Sequence, residues 1–339
     1  MSGPRPRHYV SGVVSVVVGI DENGLGPRLG PLVVTMIVAS TSEEGRARAE
    51  ARPRGAMRKR LGDSKKLVAF GDTALGEAWA RAIARRMGLS DAQVATPDEL
   101  VHALSLDSRD ALRSPCPEHH AAQCWDARGE ALVSSPEHAK LVASVEKDLA
   151  KLEEQGVRIE RATCVVTCTR RLNEGVDRRL TRFHMDLHAM ERLVLDARER
   201  AGCDVVATCG KVGGFNSYSA AFGPMSGRLH AVAMEGRARS EYHVPGVGQL
   251  AFVRDADAKH LLVCMASLVG KWVRDLLMAR IVRYHRAELG GEPDAPDASG
   301  YHDPVTTRFI SATRLSRKKR GLPDECFERR ALGNEDSVT

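Results

Sequence analysis

Aromatic residues are scarce. Phe, Trp and Tyr make up 4% of the 339 residues, which argues against a protein that holds single strands by stacking bases on many aromatic platforms. Long apolar runs are also lacking: no stretch approaches the roughly 20 residues a membrane helix needs. The N-terminal "MSGPRPRHYVSG" has no apolar core of the kind a secretory signal carries. A cytoplasmic protein with no membrane partner is expected. Neither sign of charge dominates, since 50 Lys and Arg stand against 44 Asp and Glu for a net +6. That small excess favours an anionic partner such as nucleic acid. The eight cysteines are scattered and show none of the density of a disulfide-stapled secreted domain, so free thiols are expected. There are no internal repeats. Nothing in the sequence sets an oligomeric state, and a monomer is the default expectation.

What is present is an alternation of strand-like and helix-like stretches. "YVSGVVSVVVGID" (9–21) and "PLVVTMIVAS" (31–40) read as buried strands joined by a glycine-rich hairpin loop. "GDTALGEAWARAIARRMGL" (71–89) suits a helix, and "ATCVVTCT" (162–169) a strand. In 178–200, Leu180, Phe183, Leu187, Met190 and Val194 form one stripe of an amphipathic helix. "CDVVATCG" (203–210) reads as a strand and 260–286 as a long helix. This order predicts an α/β layer fold. Residues 90–140 are polar and punctuated by proline, and read as an insertion of low order outside the core sheet. The tail from 314 to 339 opens with "RLSRKKR" and is expected to be disordered, either extending a nucleic-acid footprint or simply solvated.

Candidate chemistry begins at the end of the first strand. Asp21 and Glu22 point to opposite faces in a regular strand, but Gly24 and Gly26 follow at once and free the chain to bring both into one site. Their oxygens suit Mg²⁺ or Mn²⁺; an exposed acidic turn would have the same composition. "LGDSKKL" (61–67) sets Ser64, Lys65 and Lys66 before a helix, where hydroxyl and ammonium groups favour a phosphate. Ser267, Lys271 and Asp275 recur every four residues on one helix face.

In this order, "DENGLGPRLGP" (21–31), "DSKKL" (63–67) and "ASLVGKWVRD" (266–275) resemble the motifs of ribonuclease HII, the type-two ribonuclease H. "SGYHDP" (299–304) looks like that family's Gly-Tyr-Pro segment, and "LNEGVDRRL" (172–180) stands where its middle helix begins. The resemblance spans roughly 10–85 and 160–310. It implies one ribonuclease H-like domain over 9–313, a mixed sheet flanked by helices, interrupted by the 90–140 insertion and followed by the basic tail.

It further implies divalent-metal hydrolysis of the RNA strand in an RNA–DNA hybrid or a ribonucleotide-containing duplex. Asp21, Glu22 and Asp275 match three of the family's four metal-holding carboxylates and are expected to converge as catalytic residues. Asn23, Gly24, Leu25, Gly26, Ser64, Lys65, Lys66 and Lys271 would contact substrate, and Tyr301 would pack on a sugar.

Two departures stand out. The remaining carboxylate should end the strand at 203–210, where the chain has Thr208, Cys209 and Gly210; Cys209 and Gly210 are the two candidate registers. Asp204 and Glu235 are the nearby acids that could stand in. Leu25 replaces an arginine, which affects substrate choice more than turnover. The missing carboxylate leaves open a nucleic-acid-binding protein of the same fold without turnover. Separately, Cys116, His119, His120 and Cys124 offer zinc-type ligands at a spacing that fits no finger pattern.

Overall fold

The computed structural model describes residues 15–116, 123–212, 215–287 and 297–330. Valine-rich β1 (Ser15–Asn23) and β2 (Leu32–Thr41) form an antiparallel hairpin whose last paired residues are Asn23 and Val33. β3 (Val157–Thr167) extends the sheet antiparallel to β2. On the other side β4 (Val205–Gly210) lies parallel to β1. β5 (Ala231–Met234), β6 (Arg239–Val244) and β7 (Gly248–Val253) complete the order β3-β2-β1-β4-β7-β6-β5, with β7 parallel to β4. This is the expected mixed sheet flanked by helices. For 231–253 the sequence pattern predicts no element, because these strands are short and β5 is exposed throughout.

Alternation along β1 divides the protein into two cores. Val16, Val18 and Ile20 join the helix Arg182–Ala201, whose Phe183, Leu187, Met190 and Val194 are buried as their spacing predicts. Val17 and Gly19 face the helix Leu261–Arg286, which packs with the helices Ala74–Arg86 and Pro136–Glu154. A Cβ at Gly19 would collide with Leu262, so the glycine lets the long helix lie directly on β1. Each large side chain fully buried this way, such as Ile37 or Trp79, contributes about 1.5–3 kcal/mol relative to exposure. No helix among the described residues is long and apolar enough to cross a membrane.

The expectation of low order for 90–140 fails over its described part. Thr96 and Glu99 form a capping box and Pro97 opens the helix Pro97–Leu104. Leu100, Val101 and Leu104 sit in the first core with Leu112 and Trp125. Leu106 donates its N–H to the Cys164 carbonyl at 2.8 Å, covering the edge of β3. The described part of the segment adds no strand to the sheet, yet its buried apolar residues belong to the core. The described part of the tail is ordered too. Helices Arg314–Lys319 and Asp324–Phe327 fold back, Phe327 is buried, and the Arg317 guanidinium stacks on its ring at 3.8 Å.

Candidate functional site

β1 delivers Asp21 and Glu22 to the sheet end beside the last residue of β4. A Cβ built on Gly210 would lie 2.6 Å from Asp21 Oδ1 and 3.3 Å from Glu22 Oε2. Both carboxylates therefore reach one place, above a position without a side chain. Asp21 is buried and hydrogen-bonds the Ser267 side chain. The Ser267 hydroxyl lies 2.9 Å from that of Ser64, so two motifs distant in sequence meet on Asp21. Lys65 acts electrostatically on both acids.

Two acids that sequence reasoning missed complete the cluster. Asp257 lies on the turn Ala256–Lys259, which enters the long helix after Asp255 adopts a left-handed φ of 56°. Its charge acts on both Asp21 and Glu22. Asp186, on the helix Arg182–Ala201, is fully buried beside Glu22 and Asp21. Burial, then repulsion from Glu22 and Asp257, pushes the Asp21 carboxyl well above the usual range. Burial raises Glu22 to about 7, with Asp257 adding to it. The Asp186 carboxyl is also driven up, by burial first and then by Glu22 and Asp21. Asp257 carried no periodic signal. Asp186 did carry one, as a charged residue three after Phe183 and four before Met190 on an apolar stripe.

Asp275 does not join them. Its Oδ2 accepts from Lys271 Nζ at 2.6 Å and its Oδ1 lies 3.4 Å from Arg274. The reason is helical rise: Ser267 is the residue that touches Asp21, and eight residues further on is about 12 Å along the axis. Among the described residues, no three His, Cys, Asp or Glu side chains are arranged closely enough to share a metal ion.

The other expected contacts divide. Ser64 is buried at the cluster, whereas Lys66 is 82% exposed and pairs with Asp63 at 3.4 Å. The helix Ser64–Leu67 has four residues, and Asp63 already caps the Lys65 N–H, so no free helix N-terminus is offered there. The Asn23 amide donates to the Glu22 carbonyl. Gly24, at φ +89°, packs on Arg274, and Gly26 has open space around it. Leu25 leans on the second core. Leu25 stands between the two glycines, and arginines from elsewhere in the chain hold the loop backbone: buried Arg329 donates to the carbonyls of Gly24 and Gly30, and Arg182 to that of Gly26. Tyr301 is 45% exposed, its ring centroid 4.7 Å from the Arg274 guanidinium.

Of the two β4 registers, Cys209 is fully buried in the second core and Gly210 faces the acids. Asp204 is exposed at the opposite end of β4, and Glu235 accepts from the Tyr242 hydroxyl, so neither stands in. Of the zinc candidates, His119 and His120 lie outside the described residues. Cys116 is half-buried and Cys124 buried, and burial raises both thiols, Cys116 to about 11.

No family model matches the chain, and no curated protein does. Among solved structures the chain is similar to Bst ribonuclease HIII in complex with Mn²⁺, at 11% identity and a TM-score of 0.43, covering 94% of this chain and 67% of that one. Ribonuclease H3 of Aquifex aeolicus is similar at 13% identity and 0.41, over 92% of this chain and 71% of that one. The ribonuclease HII of Archaeoglobus fulgidus, solved with PCNA, is similar at 15% identity and 0.31, over 93% and 94%. Strand order and register, rather than these scores, define the fold: a mixed sheet in which β3, β2 and β1 are antiparallel and β4 and β7 run parallel to β1.

Proposed function

We propose that this chain is a ribonuclease HII-like endonuclease, cutting the RNA strand of RNA–DNA duplexes with a divalent cation. The observation that carries this reading is the convergence of Asp21 and Glu22 over Gly210 beside Asp257, with Lys65 as the cation acting on them. Mg²⁺ and Mn²⁺ are the ions of choice for such oxygens, and Mg²⁺ commonly takes only one or two protein carboxylates and completes its shell with water and substrate phosphate. The donor set fits that mode, with Asp21 and Glu22 as the residues that would hold the ion and Asp257 as a third negative charge. Such an ion supplies Lewis acidity and a water activated near neutral pH.

The chain's own groups prepare the rest. Ser267, braced by Ser64, fixes the Asp21 carboxylate. Lys65 offers the phosphate a positive charge. The loop held by Arg329 and Arg182 presents Gly26 with nothing against it, so a nucleic-acid backbone can come close. Tyr301, oriented by Arg274, offers an exposed ring face to a sugar.

A second reading, binding without turnover, draws on the lack of any carboxylate at 208–210. Incubation of a labelled RNA–DNA hybrid with Mg²⁺ or Mn²⁺, beside RNA–RNA and DNA–DNA duplexes, separates the two. Cutting confined to the RNA strand of the hybrid is expected. Retention of the hybrid with no cutting in either metal would establish the binding protein instead.

A further inference from the structure

We propose that Asp186 is the carboxylate that completes this chain's anionic centre, supplied from the helix Arg182–Ala201 in place of the one absent at the end of β4. The inference rests on the nuclease reading above and names a residue that the reading alone does not supply.

Asp186 is 0% exposed, and among the described residues neither of its carboxylate oxygens has a hydrogen-bond partner. Other buried acids among the described residues are provided for. Asp148 holds Arg60 at 2.7 Å, Glu130 holds Arg280 at 2.8 Å, and Glu191 accepts the Met225 N–H at 2.6 Å. Asp98 leaves one oxygen without a hydrogen bond, but Arg280 stands 3.1 Å from it. Among the described residues Asp186 has no such arginine or lysine, and the charges acting on it are Glu22 and Asp21. A buried carboxylate in that state destabilises the fold, and an apolar residue would suit its stripe better.

Its position gives it a use. Asp186 also acts on Cys209, the residue before Gly210, so it approaches from the second core the same strand end that the two β1 acids approach from above. The edge of β4 presents no side chain there. A cation brought to Asp21 and Glu22 would be stabilised by the negative charge that β4 itself fails to provide.

The test is Mn²⁺ binding by the full chain without nucleic acid, followed by electron paramagnetic resonance of the free ion. Wild type is compared with Asp186→Asn and Asp21→Asn. Asp186→Asn should weaken Mn²⁺ binding about 10–100-fold, the range for charged groups that support a metal from behind its ligands. Without Mn²⁺ it should melt no lower than wild type, because an unpartnered, desolvated carboxyl group crowded by two other acids has been removed. If Asp186→Asn blocks folding, Asp186→Thr serves for the same titration. Wild-type Mn²⁺ affinity in the folded Asp186 variant, with binding lost in Asp21→Asn, would overturn the proposal alone. Wild-type affinity in Asp21→Asn would overturn the site reading beneath it.

Discussion

The helix Leu261–Arg286 meets buried charge near both of its ends. Toward its C-terminus, Arg280 is fully buried but answered by Glu130 at 2.8 Å and Asp98 at 3.1 Å, and Arg283 adds a second contact to Glu130 at 2.5 Å. Toward its N-terminus, Ser267 touches Asp21, one of a group of acids with Glu22, Asp257 and Asp186, and Lys65 is a cation acting on the first three. Paired buried charge fixes a segment in place, and here it ties the 90–140 region to the core. Acids left facing one another reduce stability and mark a place prepared for something else. By this criterion Asp275, paired with Lys271 and Arg274, belongs with the structural charges.

The contrast can be broken at either end. Asp21→Asn should lower hybrid cleavage on the order of 10³–10⁴-fold while leaving the urea midpoint unchanged or higher. Glu130→Ala, which strands Arg280 in the core, should do the opposite. It should cost about 3–5 kcal/mol in urea unfolding, and activity should be retained wherever the protein stays folded.

A smaller effect sharpens the comparison through pH. Glu22 in the fold titrates near 7, above the 4.5 of a free glutamate. As pH rises through that window the unfolded chain loses this proton first, so Glu22's contribution to stability falls between about 4.5 and 7. In metal-free buffer, Glu22→Gln should therefore gain on wild type across that range, by about 1–3 kcal/mol in urea unfolding. A constant gap would show that Glu22 is not desolvated. The smallest effect expected is a gain of a few fold in Mg²⁺-supported cleavage from Gly210→Asp. Gly210 is not among the positive-φ residues, so its backbone accepts aspartate; its Cβ would stand 2.6 Å from Asp21 Oδ1, so the strand end has to give, which keeps the gain small. Cys209→Asp should instead destabilise, because it puts a carboxylate in the second core.

The strands β1 to β4 and the helices Ala74–Arg86, Arg182–Ala201 and Leu261–Arg286 were legible because apolar spacing reports burial directly, whereas the 19-residue helix Pro136–Glu154 was not read from the sequence. Asp21 and Glu22 were legible because glycine next to a strand end is a local signal. The 90–140 region misled because its polarity is that of a surface layer, while its few apolar residues reach the core individually, as Leu104 and Trp125 do. Deleting it should now unfold the protein. Asp275 attracted attention by helical periodicity with Ser267 and Lys271, but a shared face does not shorten an axial distance. Asp257 and Asp186 arrive from a turn and from the opposite core, and only tertiary packing brings them to β1.

The most direct measurement is the cleavage rate of a labelled RNA–DNA hybrid by Asp257→Asn and Asp275→Asn, each verified as folded. The unpaired-acid account predicts that Asp257→Asn falls as far as Asp21→Asn while Asp275→Asn stays within about tenfold of wild type. An inactive, folded Asp275→Asn beside a fully active Asp257→Asn would contradict it.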